Sequence, residues 1–78
     1  MPTALRVGPY PFFFYSDDRR EPAHVHVERG GSTAKFWLNP IRLQRPGGFG
    51  AVELRQIQRL IEQHREHLLW SWDEHFGK

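Results

Sequence analysis

Residues 22–28 read Pro-Ala-His-Val-His-Val-Glu, and the alternation of polar and apolar side chains predicts a β-strand. Successive side chains of a strand point to opposite faces of the sheet. His24, His26 and Glu28 would therefore share one face, while Val25 and Val27 line the other. The valine face is a candidate core surface, and the paired histidines are the first candidate for a functional site.

Further strands are predicted on both sides of this segment. Residues 12–15 are aromatic throughout, and residues 33–38 alternate apolar with polar side chains, which is typical of a half-buried antiparallel strand. Gly30-Gly31 between residues 24–29 and 33–38 predicts a tight hairpin turn. Residues 41–43 form a weaker candidate strand. Pro9 and Pro11 predict an irregular lead-in, because proline cannot donate a ladder hydrogen bond.

The C-terminal third of the chain has the periodicity of one long helix over residues 51–76. Gly50 is an acceptable N-cap, and the Glu53 carboxylate would meet the free amides of the first turn. His64 fills a gap in the apolar stripe, where a partly buried histidine is expected. The stripe recurs at three- and four-residue steps and comprises Leu54, Ile57, Leu60, Ile61, Leu68, Leu69, Trp72 and Phe76.

These elements predict a single α+β domain over residues 1–78. A small antiparallel sheet of three to four strands would be covered on one face by one long C-terminal helix, in the order β-β-β-α. The helix stripe would cover the valine face. The opposite face, carrying His24, His26, Lys35 and Trp37, is then predicted to be uncovered.

Composition narrows the class of protein. The chain has 78 residues and no cysteine, which excludes disulfides and thiolate zinc sites. A domain this small has a marginal core, so a homo-oligomer or a bound partner is expected. No apolar run reaches the length of a membrane span, which predicts cytoplasmic residence and no membrane partner. The net charge of +2 permits RNA contact without requiring it.

One reading of the histidine face is a metal-independent endoribonuclease. His24 and His26 would act as general base and acid, with Lys35 as an alternative proton donor to the leaving oxygen. Arg19 and Arg20 of the preceding loop could hold the phosphate. The sequence leaves open whether the acid and the base converge.

Two other readings use the same face. As a metal-binding protein, the chain would place His24 and His26 near Glu28 and near Asp17 or Asp18, which suits zinc, nickel or iron. This is an alternative, since the leading hypothesis needs no cofactor. As a binding module, the chain would use Trp37 for stacking or anchoring. That binding surface would comprise Asp17, Arg19, Arg20, Glu28 and Trp37.

The histidines and the end of the helix also allow roles other than catalysis. The histidines could simply hydrogen-bond within the loop and the strand. The end of the helix carries apolar groups on more than one side, with Trp72 near the main stripe and Trp70 off it, so this end could dock a partner. His67 and His75 are predicted at the surface.

Three segments resemble a small bacterial family, the domain of unknown function 4160. They are Phe13-Phe14-Tyr15-Ser16-Asp17, Pro22-Ala23-His24-Val25-His26-Val27 and Ala34-Lys35-Phe36-Trp37-Leu38-Asn39-Pro40, followed by Gly48-Phe49 before the helix. The resemblance implies one component of a toxin–antitoxin-like two-gene module that binds a cognate protein encoded nearby. It marks His24 and His26 as the signature, with Asp17, Lys35 and Trp37 as neighbours.

Overall fold

A computed structural model describes residues 3–15 and 18–77 of the chain. Five strands are followed by two helices, so the predicted α+β class is confirmed, although the strand and helix numbers differ from those expected. A short 3-10 helix, Asp18–Arg20, lies between the second and third strands. The elements are β1 (Thr3–Val7), β2 (Tyr10–Phe13), β3 (His24–Arg29), β4 (Ser32–Leu38), β5 (Ile41–Arg45), α1 (Ala51–Gln63) and α2 (Arg65–Phe76).

The sheet is an antiparallel meander in which each strand pairs with the next along the chain. The expectation of three to four strands is corrected to five, because β1 was not predicted and the weak 41–43 candidate extends to Arg45. The second strand also lies earlier than the predicted 12–15 and contains Pro11. This proline is tolerated because β2 pairs with β3 only through Phe12 and Phe13, so no ladder bond to β3 is lost at Pro11.

The predicted single helix is divided at His64, which has a non-helical backbone and ends α1 while preceding α2. A straight helix over residues 51–76 would be about 39 Å long. The longest extent of the Cα trace is only 34 Å. The longest strand, β4, spans roughly 23 Å. A break is therefore needed to keep the C-terminal half of the stripe against the sheet.

The two helices cover the valine face of the sheet, as the sequence predicted. Val25 and Val27 of β3 are fully buried and pack with Phe36 of β4 against Ile57 and Ile61 of α1. In the described part of the chain, no helix is both long and apolar enough to cross a membrane. The buried cluster on this side consists of Tyr10, Phe12, Phe14, Val25, Val27, Ala34, Phe36, Leu38, Phe49, Ile57, Ile61, Leu68 and Trp72.

The connection from β5 to α1 passes directly over the backbone of β4. Gly47 has φ +62°, and a Cβ atom added to it would collide with the Thr33 carbonyl. The Thr33 amide also donates a hydrogen bond to the Gly47 carbonyl at 3.2 Å. Only glycine permits this approach of the two backbones.

We expect Gly47→Ala to lower the free energy of unfolding by about 3 kcal/mol, because the steric collision adds to the roughly 1–2 kcal/mol cost of a left-handed backbone. Urea denaturation measures the change. Gly31→Ala is the matched control, since a Cβ there meets nothing within 4 Å. Equal urea midpoints for Gly47→Ala and Gly31→Ala would contradict the close approach of the Gly47 and Thr33 backbones.

Glu53 joins α1 to the sheet instead of capping the helix. Its Oε2 atom accepts hydrogen bonds from the Tyr10 hydroxyl at 2.6 Å and from Nη1 of Arg29 at 2.8 Å. The hydrogen bond from Tyr10 and the Arg29 charge lower the pKa of Glu53 below its usual 4.5. The ionised carboxylate is thus the form that stabilises the folded chain.

We expect Glu53→Gln to be less stable than wild type near neutral pH. A carboxylate with a lowered folded-state pKa contributes stability above its unfolded pKa of 4.5 and loses it as the pH falls through the folded value. The difference in the free energy of unfolding between wild type and Glu53→Gln, measured by urea titration, should therefore shrink below pH 4.5. Glu62→Gln on the same helix is the control. A difference that stays constant with pH would rule out the ionised contact.

Candidate functional site

The histidine face of the sheet is covered, contrary to the prediction from the sequence. His24 is 0% exposed and His26 is 4% exposed. The cover is the connection between β2 and β3, of which residues 14, 15 and 18–23 are described. Its Tyr15 ring lies 4.6 Å from the His26 ring, measured between centroids. The sequence prediction considered only the helix as a cover and treated this connection as a solvated loop.

Aromatic rings surround both imidazoles. Phe13 of β2 stacks on His26, with centroids 5.6 Å apart and planes 23° from parallel. Trp37 of β4 and Trp72 of α2 approach His24 at 5.6 and 5.1 Å. The two histidine rings are 5.1 Å from each other. The site is therefore a small polar cluster inside an aromatic shell.

Asp18 brings its carboxylate between the two histidines. Oδ1 lies 3.1 Å from Nε2 of His24, and Oδ2 lies 3.0 Å from Nε2 of His26. The side chain is held by its own turn, because the Tyr15 amide donates to Oδ2 at 2.7 Å and the Asp18 amide donates to the Tyr15 carbonyl at 3.1 Å. A short-range turn thus positions a carboxylate over a strand six residues further along.

The tautomer of His24 follows from its partners. Nδ1 lies 2.9 Å from the Pro22 carbonyl oxygen, which can only accept, so Nδ1 carries the proton and donates it. The Nε2 atom is buried without a hydrogen-bond partner among the described residues, because its contact with Asp18 lacks hydrogen-bond geometry. A buried polar atom left without a partner costs about 1–3 kcal/mol.

His26 is arranged in a complementary way. Its Nε2–H donates to the Asp18 carboxylate, and its Nδ1 atom is the second unpartnered buried nitrogen in the described chain. Burial lowers the pKa of His26 below 6.5, despite the opposing effect of Asp18. Burial by itself would raise the pKa of Asp18, but the hydrogen bond from the Tyr15 amide opposes this effect, and the pKa lies below 3.8. A neutral His26 therefore faces an ionised Asp18.

The structure brings two of the other predicted site residues to the edge of this cluster. Lys35 is the cross-strand neighbour of His26, and Trp37 is that of His24. The Lys35 ammonium contacts Oε1 of Glu21 at 2.5 Å and lies 4.9 Å from the centroid of the Trp37 ring. Lys35 is thus held by a loop carboxylate that the sequence prediction did not assign.

The remaining predicted site residues lie away from the histidine cluster or outside the described residues. Arg19 and Arg20 are exposed in the 3-10 helix. Glu28 pairs in register with Thr33, towards the far end of β3, and is not part of the histidine cluster. Asp17 lies outside the described residues. The sequence predicted Asp18 only as a possible metal ligand, as an alternative to Asp17. The structure shows that Asp18 is the carboxylate between the histidines.

A second surface of interest lies along α2. Trp70 is 59% exposed, whereas Trp72 is 9% exposed, as their positions relative to the stripe predicted. Trp70 borders an open groove of about 390 Å³ between α2 and the edge strand β1. His67 and His75 are exposed, as predicted. The groove is lined by Thr3, Ala4, Phe14, His67, Trp70, Ser71, Glu74 and His75.

Together, the five-stranded meander, the two covering helices and the enclosed histidine pair define a small α+β domain with a closed polar cluster. Residues 10–73 match the family described as Domain of unknown function (DUF4160). The match spans most of the chain, so this chain belongs to that family. No curated protein and no solved structure matches the chain.

The enclosure of the histidines predicts their chemical reactivity. With diethyl pyrocarbonate, we expect His67 and His75 to be modified in the native protein, while His24 and His26 react only after unfolding in urea. Peptide mass spectrometry assigns each site, and the exposed pair is the internal control. Modification of His24 or His26 at the rate of His67 in native conditions would contradict the closed cover.

Proposed function

We propose that this protein acts by binding, as one component of a toxin–antitoxin-like two-gene module. Its principal partner is a cognate protein encoded nearby, and RNA is a second partner. The observation that carries the proposal is the exposed Trp70 beside the groove between α2 and β1, on a chain whose histidines are enclosed. The resemblance of the chain to its family supports the two-gene setting.

The alternative of a metal-independent endoribonuclease loses support from the geometry. A general base must lie within about 2.6–3.2 Å of the substrate group that it deprotonates. His24 has no exposed surface, and His26 is enclosed by Phe13 and Tyr15. Lys35, the proposed proton donor, is paired with Glu21. A ribose hydroxyl could reach these groups only after the β2–β3 connection had moved away.

The α2 surface has the features of a protein-binding site. Trp72 faces the core and Trp70 faces outward, so this helix carries large apolar groups on two sides. Exposed aromatic side chains beside a groove are typical anchors of protein interfaces, where tryptophan is enriched among the residues that dominate affinity. The His67 ring lies 5.8 Å from the Trp70 ring, measured between centroids, and lines the same groove.

The position of the groove indicates what kind of segment would occupy it. β1 is an edge strand of the sheet, and its Thr3 and Ala4 line the groove. An edge strand offers backbone groups to an additional extended segment, and in β1 these are groups other than the Ala4 carbonyl, which the His67 ring contacts. We therefore propose that an extended segment of the cognate protein lies along β1 and places an apolar side chain against Trp70. Glu74, at the rim, favours a basic residue next to it.

A different surface supports RNA as the second partner. Arg42 of β5 is the cross-strand neighbour of Trp37, and Arg45 is that of Lys35. These cations and the partly exposed tryptophan therefore share the sheet face of the histidines, beyond the part that the β2–β3 connection covers. Cationic groups next to an aromatic ring suit a phosphate backbone with a stacked base.

Two matched tryptophan substitutions separate these partners. When each protein is co-expressed with the neighbouring gene product, we expect wild type and Trp37→Ala to co-purify with that product. Trp70→Ala should bind it at least about 10-fold more weakly. In RNA titrations at low salt, we expect Trp37→Ala to bind RNA more weakly than wild type does. Trp70→Ala should bind RNA as wild type does. Circular dichroism checks that both variants are folded.

A wild-type protein that does not co-purify with the neighbouring gene product would contradict the principal proposal. So would a Trp70→Ala variant of unchanged affinity. Loss of RNA binding in Trp70→Ala instead of Trp37→Ala would contradict the assignment of the two surfaces.

A further inference from the structure

We propose that Asp18, His24 and His26 form a binding site for a divalent transition-metal ion of the zinc class. One candidate ligand atom from each residue lies within 4.8 Å of the others. The site is separate from the Trp70 groove and goes beyond partner binding. It combines a carboxylate from a turn with two imidazoles from one strand.

Nε2 of His24 has no hydrogen-bond partner among the described residues, which favours a bound ion at this position. This atom is fully buried and lies 3.1 Å from Oδ1 of Asp18, in a contact without hydrogen-bond geometry. With the Nδ1 proton donated to the Pro22 carbonyl, Nε2 presents its lone pair beside a carboxylate oxygen. Two such acceptors repel each other unless a cation lies between them. A metal ion bound to both would satisfy both.

The way in which the His24 ring is held also favours metal binding. Metal-bound histidines commonly donate their other ring N–H to a backbone carbonyl, which fixes the tautomer and the orientation of the ligating nitrogen. The contact of Nδ1 with the Pro22 carbonyl at 2.9 Å is this arrangement. Pro22 also lies only two residues from His24, so the same loop that covers the site orients its ligand.

The distances suit a small ion once the three ligand side chains turn towards it. Zinc binds histidine nitrogen at about 2.0–2.1 Å and carboxylate oxygen at about 2.0–2.2 Å, which places neighbouring ligand atoms roughly 3.3 Å apart in a tetrahedral site. Asp18 contacts Nε2 of His24 through Oδ1 at 3.1 Å and Nε2 of His26 through Oδ2 at 3.0 Å. Because these contacts use different oxygens, the side chains must turn so that both Nε2 atoms face one ion, and the three ligand atoms already lie within 4.8 Å of one another.

The donor set limits the metal. Two imidazole nitrogens and one carboxylate oxygen suit zinc, cobalt, nickel or ferrous iron better than magnesium or calcium, which prefer oxygen ligands. Three protein ligands leave a tetrahedral ion one further position, for a water molecule. Binding requires Nε2 of His26 to give up the proton that it donates to Asp18. That proton moves to Nδ1 of the same ring, which has no partner among the described residues, so His26 stays neutral.

The test uses the untagged full chain, stripped with a chelator and dialysed. ZnCl2 titrated by calorimetry is expected to bind with a stoichiometry of about one ion per chain. CoCl2 should give the visible absorption of a four-coordinate cobalt ion. Asp18→Asn preserves the shape of the side chain but replaces a ligating oxygen, and it should weaken zinc binding at least about 10-fold. Asp73→Asn, the same substitution on α2, should bind zinc as wild type does.

A measurement on the wild-type chain does not depend on the folding of any variant. Long-range proton–nitrogen NMR spectra should show His26 protonated on Nε2 before zinc is added and on Nδ1 afterwards, while His24 stays protonated on Nδ1. Unchanged His24 and His26 spectra at saturating zinc would overturn the proposal. Equal zinc affinities of wild type and Asp18→Asn would also overturn it.

Discussion

The contact of one carboxylate with two buried imidazoles is the interaction on which the second face of the sheet depends. A strand that places His24 and His26 on one face must either leave them in water or supply buried partners for their nitrogens. Asp18 accepts a hydrogen bond from Nε2 of His26 and lies beside Nε2 of His24, and the Pro22 carbonyl accepts one from Nδ1 of His24. Both partners come from the short connection between β2 and β3. This connection therefore acts as a third layer of the domain, opposite the helices, with Tyr15 and Phe13 closing the apolar sides of the cluster.

The break at His64 has a comparable effect on the other side of the sheet. It shortens the helical layer to the dimensions of the sheet, and Nη2 of Arg65, the first residue of α2, donates to Oδ1 of Asn39 in the β4–β5 turn at 2.9 Å. The redirected α2 then runs beside β1, where the His67 ring contacts the Ala4 carbonyl oxygen. Trp72 consequently reaches both Phe14 and His24, while Trp70 remains at the surface. One backbone irregularity thus accounts for both the closed end of the cluster and the exposed groove.

The sequence was informative where a repeating pattern had one physical meaning. Alternation predicted β3 and β4, and the 3.6-residue stripe predicted which helix residues would meet the valines. Patterning could not reveal β1, a short edge strand with only Leu5 and Val7 as large apolar residues. It could not reveal the helix break either, since His64 continues the stripe and the break follows from the size of the sheet. The covered histidine face was missed because a polar run such as residues 16–22 has the composition of a solvated loop. The cover over the histidines depends on a turn in which Asp18 folds back, and no periodicity encodes that turn.

The separation of a closed cluster from open surfaces has a functional consequence. Catalytic groups must contact their substrate. His24 and His26 are sealed between the sheet and its covering connection, so they can act only on what that connection encloses. The surfaces that solvent reaches carry different groups: an aromatic groove beside an edge strand, and a row of cations beside Trp37. A residue that stabilises the cover also shapes the open surface next to it, because Glu21 holds the Lys35 ammonium beside the Trp37 ring. The position of the connection therefore links the enclosed histidines to the arrangement of the open surface.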